Sequence, residues 1–128
     1  MIPAELKYTT GHEWLRLDGE IATIGITDYA QSQLGDITYV ELPPVGKEFK
    51  AADSIAVVES VKAASDVYTP VGGTIAEING DLDGAPESIN SDPYTDGWIC
   101  KLSGVSSADI ASAMSAEEYG KFLEKGSE

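Results

Sequence analysis

The sequence is poor in the groups on which most chemistry depends. Its 128 residues hold one cysteine, Cys100, and one histidine, His12. A single cysteine closes no intramolecular disulfide, and without a CxxC pair or a Cys/His cluster no metal site is expected. A lone histidine, with no motif around it, supports neither a Ser/His/Asp nor a Cys/His catalytic set. Gly11 and the pair Gly72-Gly73 stand in no GxGxxG or P-loop pattern, so they read as turn glycines rather than phosphate cradles. Basic residues are also scarce, eight Lys and Arg against 22 Asp and Glu, which leaves a net charge of −14. Nucleic acid and anionic lipid surfaces would repel such a chain, whereas basic patches on protein partners would attract it. The same charge serves the solubility of a small protein. No apolar run could span a bilayer, and Met1-Ile2-Pro3-Ala4-Glu5-Leu6-Lys7 has neither the apolar centre of a signal peptide nor the Arg-rich face of a transit peptide. The expectation is a cytoplasmic bacterial protein, monomeric, and not itself an enzyme.

What the chain does have is a succession of short β-branched runs. They fall at Trp14 to Leu17, Ile21 to Ile26, Thr38 to Glu41, Ser54 to Val58, Asp66 to Thr69, Thr74 to Ile78 and Trp98 to Leu102, punctuated by Gly, Pro and Asp. The pattern predicts one mainly β domain, large enough to bury roughly two-thirds of its unfolded surface in a single core. Gly19-Glu20-Ile21-Ala22-Thr23-Ile24 and Gly73-Thr74-Ile75-Ala76-Glu77-Ile78 share a pattern, a faint sign of two related halves. Helix signals are few. Asp28 and Gln31 form a capping-box pair and Gly35 a stop, predicting a short helix over Asp28 to Leu34. Ser107 to Met114 is a second candidate. In a third, Ser115 caps, Glu118 occupies the third helical position, and Tyr119, Phe122 and Leu123 form one apolar face. Between Asn79 and Asp96, rich in Asn, Asp, Gly, Ser and Pro, an irregular but ordered excursion is expected, anchored by Leu82, Ile89 and Tyr94.

Val58-Glu59-Ser60-Val61-Lys62-Ala63-Ala64-Ser65-Asp66 places one lysine between two strand-like runs. Lys62 is therefore expected at or near a hairpin tip, its amine in water and its small neighbours Ser60, Ala63 and Ala64 leaving room for an enzyme to close over it. Such a position alone distinguishes nothing, since most turn lysines are merely solvated.

The company that Lys62 keeps is more specific. Tyr8-Thr9-Thr10-Gly11-His12-Glu13-Trp14, Ala22-Thr23-Ile24-Gly25-Ile26-Thr27-Asp28-Tyr29-Ala30-Gln31, Leu34-Gly35-Asp36 and Val40-Glu41-Leu42-Pro43 precede it. Thr69-Pro70-Val71-Gly72-Gly73, Ile89-Asn90-Ser91-Asp92-Pro93-Tyr94 and Gly97-Trp98 follow. In this order, from about residue 6 to about 123, the chain resembles the H-protein family of the glycine cleavage system, and the Lys62 stretch resembles its lipoyl-attachment site. Two departures are small: Gly72 stands where Ser is common, and Gln33 where some relatives have His.

The resemblance implies a lipoyl-domain-like β-sandwich (a barrel-sandwich hybrid) with a short internal helix and a C-terminal helical segment. All of 1–128 would form one lipoyl-carrier domain, with the lipoyl-binding core at about 20–103 and the helical extension at about 106–125. It implies lipoate in amide linkage to the Lys62 ε-nitrogen. Three partners would use that arm: the P protein (glycine decarboxylase), the T protein (aminomethyltransferase) and the L protein (dihydrolipoyl dehydrogenase). A lipoate ligase or octanoyl transferase, with lipoyl synthase, would install it. Glu59 and Asp66 bracket the lysine and are candidates for recognition by the attaching enzyme; His12, Glu13 and Asp66 are candidates for docking the loaded arm, whose ammonium a carboxylate would hold. Biotin carriers favour Met on both sides of the lysine, where this chain has Val61 and Ala63. Lipoyl domains of 2-oxoacid dehydrogenases usually have Asp before it and lack the His12-Glu13-Trp14 and Asp92-Pro93-Tyr94 segments. The remaining alternatives are an H-like relay of lipoyl groups to other enzymes and, far behind, a small hydrolase.

Overall fold

Strands β2 (Glu13–Asp18) and β3 (Ile21–Ile26) make a tight hairpin, closed by the two-residue turn Gly19-Glu20 with Gly19 at φ 62°. Only a left-handed residue lets so short a turn match the strand twist. The structure, a computed structural model, describes residues 3–125; residues 1–2 and 126–128 of the expected domain lie outside this range. β2 and β3 belong to a six-stranded antiparallel sheet with β1 (Lys7–Tyr8), β5 (Glu48–Phe49), β8 (Gly73–Ile78) and β9 (Cys100–Ser103), in the order β1-β2-β3-β9-β8-β5. A second sheet, β4-β6-β7, is formed by β4 (Ile37–Glu41), β6 (Ser54–Ser60) and β7 (Ala64–Tyr68). The inward residues of the two sheets, among them Leu15, Ile24, Ile75 and Leu102 from the first and Val40, Val58 and Val67 from the second, close one apolar core. This is the β-sandwich expected. The two similar segments occupy equivalent places in it, since β3 and β8 flank β9 on either side.

A smaller cluster lies outside the sandwich. Helix α3 (Ala116–Glu124) packs Tyr119, Phe122 and Leu123 against Leu6, Tyr8 and Trp14. Its Ser115 cap is as expected: the Ser115 hydroxyl accepts from Glu118 N (3.2 Å) and the Glu118 carboxylate from Ser115 N (2.8 Å). Trp14 is fully buried, donates from its indole nitrogen to the Pro93 carbonyl (2.9 Å) and lies over Gly25, its partner across β2 and β3. A Cβ at Gly25 would stand 2.7 Å from the ring.

Helix α1 (Asp28–Leu34) has the expected bounds but another cap. Thr27, not Asp28, is the N-cap, its hydroxyl accepting from Ala30 N (3.2 Å), while the Asp28 carboxylate accepts from the Gln31 amide (2.8 Å) within the first turn. Ser107 to Met114 is not a helix. Asp109 N, Ala111 N and Ala113 N each bond three residues back, the Asp109 carboxylate folds onto Ser106 N, and Met114 leaves the turns to pair with Tyr8. The excursion from Asn79 to Asp96 carries more regular structure than expected, a 3₁₀ turn at Gly80–Asp83 and helix α2 (Ser88–Ser91), held by buried Leu82 and Ile89. β1 and β5, two residues each, are too short for any periodicity to betray them. Pairing at β7 starts closer to the tip than expected and ends before Thr69, whose hydroxyl turns to the Val71 carbonyl. The last strand begins at Cys100 rather than Trp98 because the Asn79 amide takes the Trp98 and Asp96 carbonyls.

Candidate functional site

The β6–β7 hairpin ends in Val61-Lys62-Ala63, all exposed, with Lys62 at the tip. Ser60 shapes the turn: its N–H donates to the Ala63 carbonyl (2.8 Å) and its hydroxyl accepts from the N–H groups of Lys62 (3.1 Å) and Ala63 (3.2 Å). The tip is also moored sideways, since Val61 N donates to the Asp36 carbonyl (3.1 Å). Next to Asp36, Gly35 closes α1 at φ 82°, ψ −158°, a conformation open to glycine alone, and a Cβ there would lie 3.5 Å from Lys62 Cε. Asn90 of α2 holds this seat from beneath. Its amide donates to the Gly35 carbonyl (2.9 Å) and the Gln31 side chain (2.8 Å), and its oxygen accepts from Ile37 N (2.8 Å).

From the tip a groove follows the outer edge of β7. Its first section, about 250 Å³, runs between Gly11-His12 on one side and Tyr29, Ala30, Gln33 and Leu34 of α1 on the other, with Ser65 at its β7 side. The second, about 330 Å³, shares Gly11 and is lined by Glu13, Tyr68 and Pro70. A tight turn builds the shared wall: His12 N donates to the Thr9 carbonyl (3.1 Å), Thr9 N to the Glu13 carbonyl (3.0 Å), and His12 sits at φ 70°. Gly11 passes so close to Glu13 that a Cβ would approach its carboxylate to 2.9 Å.

Glu13 is 5% exposed. Its carboxylate accepts from the Thr9 hydroxyl and from Tyr68 N of the β7 edge (3.3 Å). Burial pushes this carboxyl above its ordinary 4.5, and those hydrogen bonds oppose the shift without cancelling it. Stability linked to such a raised value is complete below 4.5 and is lost as pH rises through the folded value. Glu13→Gln, which does not titrate, should therefore gain stability relative to wild type as pH rises through that window. Thermal melts of the unmodified protein across it check this; a pH-independent difference would mean that Glu13 titrates alike folded and unfolded.

The sequence candidates thus divide. Lys62 stands at the hairpin tip with its stem beside Gly35, next to Leu34 of the first section, Glu13 lines the second section, and His12 lines the first, its ring turned to Tyr29, Phe122 and the Tyr119 hydroxyl. Asp66 alternates with buried Val67 and so lies on the outer face of its sheet, accepting from the Ser54 hydroxyl (3.0 Å). Glu59 is half-buried opposite Ala64, with Tyr39 on its other side. Sequence reasoning missed Asn90 and Asp36 as the seat of the hairpin and Tyr119 as a polar residue; the first two lie inside quoted motifs, whereas Tyr119 read only as part of an apolar face.

A lysine held at the tip of a hairpin at the end of a β-sandwich, beside a groove with an apolar entrance, is the layout of a carrier that presents a long side arm. Glycine cleavage H-protein is the family model matched, over residues 6–126. The chain is 54% identical over 123 residues to the glycine cleavage system H protein of Opitutus terrae, covering 95% of this chain and 97% of that protein. It is 57% identical over 120 residues to the protein of that name from Neisseria meningitidis serogroup B, covering 92% and 93%. A crystal structure of a glycine cleavage system H protein from Mycobacterium marinum superposes with a TM-score of 0.86 at 34% identity, covering 98% and 99% of the two chains. The chain belongs to the glycine cleavage H-protein family. No helix among the described residues is long and apolar enough to cross a membrane.

Proposed function

We propose that this protein is the lipoyl-bearing carrier of a glycine cleavage system, with lipoate in amide linkage to Lys62, and that it performs no turnover of its own. The observation that carries the reading is the groove from Lys62 to Glu13. Ala64 to Tyr68 spans roughly 13 Å at the rise of a strand, within reach of a fully extended lipoyl-lysine. The residues fit that group: the methylenes would lie against Tyr29, Ala30 and Leu34, and a cationic end would meet Glu13. When bound, lipoate supplies a disulfide that takes the aminomethyl group of glycine and is later returned to its oxidised form.

The chain's own residues bind, orient and shelter. Lys62 presents its amine clear of the sheet, Ser60 and Asp36 fix its direction, and Gly35 leaves its aliphatic stem unobstructed. Glu13, short of water and already held by Thr9 and Tyr68, is preorganised to accept an ammonium through charge-assisted hydrogen bonds. His12 walls the groove. Glu59 and Asp66 remain exposed or half-exposed beside the tip, available to a lipoate ligase or octanoyl transferase. The partners are the P, T and L proteins, and tethering raises the arm's effective concentration at each of them. All of 1–128 acts as one monomeric carrier domain, with a lipoyl-binding core at about 20–103 and an extension at about 106–125 that is helical only in α3. The bacterial cytoplasm is its setting, in keeping with bacterial relatives and a single buried thiol, Cys100, that burial pushes up to about 12.

Peptide mass mapping after expression with lipoate and an attaching enzyme tests the assignment. Lys62 should carry one lipoyl group, the other six lysines none, and Lys62→Ala should gain no mass. Modification elsewhere, or on the alanine variant, overturns it.

A further inference from the structure

The two walls of the groove entrance belong to segments distant in sequence, Gly11-His12 and α1, and a third segment touches both. Tyr119, on α3, places its hydroxyl 2.8 Å from His12 Nδ1 and 2.8 Å from Thr27 Oγ1. Thr27 is the N-cap of α1: its hydroxyl oxygen accepts from Ala30 N, and Ala30 is itself a groove residue. The Thr27 proton can therefore go to Tyr119 and the Tyr119 proton to His12, so that a single line of hydrogen bonds runs from the helix cap to the imidazole. The backbone joins the same walls once more, Thr27 N donating to the His12 carbonyl (3.0 Å). That bond fixes how far apart the segments stand; it does not fix the direction of the His12 ring or the proton carried by the cap. The Tyr119 hydroxyl acts on both, alongside the packing of the imidazole on Tyr29 and Phe122.

The hydroxyl is held firmly enough to do this. Tyr119 is fully buried, its ring stacks on Tyr8 with centroids 4.8 Å apart and planes within 7°, and α3 begins where Met114 exchanges two backbone hydrogen bonds with Tyr8. Burial raises the phenol to about 12, so it keeps its proton at any physiological pH.

We propose that Tyr119 is a positioning residue for the loaded arm, through which the C-terminal helix sets the shape of the groove entrance by orienting His12 and completing the cap of α1. The inference rests on the arm occupying that groove. Tyr119 lines neither section of the groove and acts through His12 and Thr27.

Tyr119→Phe isolates the hydroxyl, since the phenyl ring retains the stack on Tyr8. Two measurements decide. In the unmodified protein, amide hydrogen exchange at Ala30 and Gln31 should quicken in Tyr119→Phe. In the lipoylated protein loaded by the P protein with glycine and then isolated, ammonia and formaldehyde should appear between about twofold and tenfold faster, the range set by one hydrogen bond of ordinary net worth. Leu123→Ala, which loosens α3 without removing the hydroxyl, controls for stability, and Glu13→Ala controls for the groove itself. Glu13→Ala should release ammonia faster with exchange in α1 unchanged. If Glu13→Ala is faster and Tyr119→Phe matches wild type in both measurements, the role of Tyr119 is overturned while the groove stands. If Glu13→Ala and Tyr119→Phe both release at the wild-type rate, the groove reading falls and the inference with it. If Leu123→Ala at equal loss of melting temperature reproduces both effects of Tyr119→Phe, the hydroxyl has no special part and the inference is overturned.

Discussion

Lys62→Arg is expected to abolish glycine turnover in the presence of the P, T and L proteins while leaving the fold almost untouched. The tip side chain is exposed and passes Gly35, which has no side chain to obstruct it, so the larger head group has solvent to extend into. Exposed substitutions of this kind usually shift stability by about half a kcal/mol or less. The charge is also conserved, so any partner that recognises the tip by its electrostatics still finds a cation. What is lost is nucleophilicity: a guanidinium stays protonated at every accessible pH and offers no free amine to an acyl donor. Intact mass should show no lipoyl gain, and turnover should fall to the level without any carrier. Turnover retained by this variant would place the chemistry elsewhere in the chain and refute the carrier reading outright.

The largest expected loss of stability comes from Trp14→Ala. Trp14 is the largest fully buried side chain, and it touches three parts of the molecule at once: β2, the Pro93 carbonyl and the α3 cluster. Truncating a buried aromatic of this size costs about 3–5 kcal/mol, against a total of roughly 5–15 kcal/mol for a domain. The unpaired Pro93 carbonyl adds to the cost. Urea melts of the unmodified variant should show a sharply lower midpoint or no folded baseline. Gly25→Ala should also destabilise on its own, because its methyl would press on the indole at 2.7 Å. In the Trp14→Ala background that penalty should vanish, since the ring is gone. Strict additivity of the two substitutions would contradict the direct contact.

The Trp14–Gly25 contact shows what kind of information the sequence carried. Most of the motifs that tie this chain to its family prove to be scaffold. Gly97 is packed so closely against Ile89 and Asp92 that a Cβ would stand 2.8 Å from the Ile89 backbone. Tyr94 accepts from Asp28 N at the start of α1, Pro93 caps the indole, and Asn90 holds the hairpin seat. The short strands, the bounds of α1 and the Ser115 cap were legible because periodicity and capping are local in sequence, whereas the sandwich into which the strands pack came only with the resemblance to the family. The lysine tip was legible for the same reason, as a polar break between two β-branched runs. The groove was not. Glu13 meets Tyr68 across 55 residues, and Tyr119 meets His12 across 107. No local pattern marks a side chain whose partners are brought to it by the topology of two sheets, and Tyr119, aromatic at a helical core position, gives a correct apolar reading that hides its hydroxyl. Asp66 misled for the complementary reason. Its proximity to Lys62 in sequence suggested the groove, but Asp66 lines neither section of it and its carboxylate is turned toward β6, where it accepts from the Ser54 hydroxyl.

Strand β7 also bears on how the protein behaves in a crowd. Among the described strands it ends its sheet, with β6 on one side and the groove on the other, and the Glu13 carboxylate takes the N–H of Tyr68. An open strand edge is a template for a second copy of the same chain. On the proposed function this groove must stay clear for an arm and cannot be closed by a neighbouring strand, so protection has to come from elsewhere. At a net charge of −14 two copies repel each other, and that repulsion reaches about 8 Å at physiological salt, beyond the spacing at which strands pair. The acidity of the sequence thus acts as a colloidal guard on an edge that function leaves unsealed, and high salt, which removes it, is the condition under which concentrated protein would begin to self-associate.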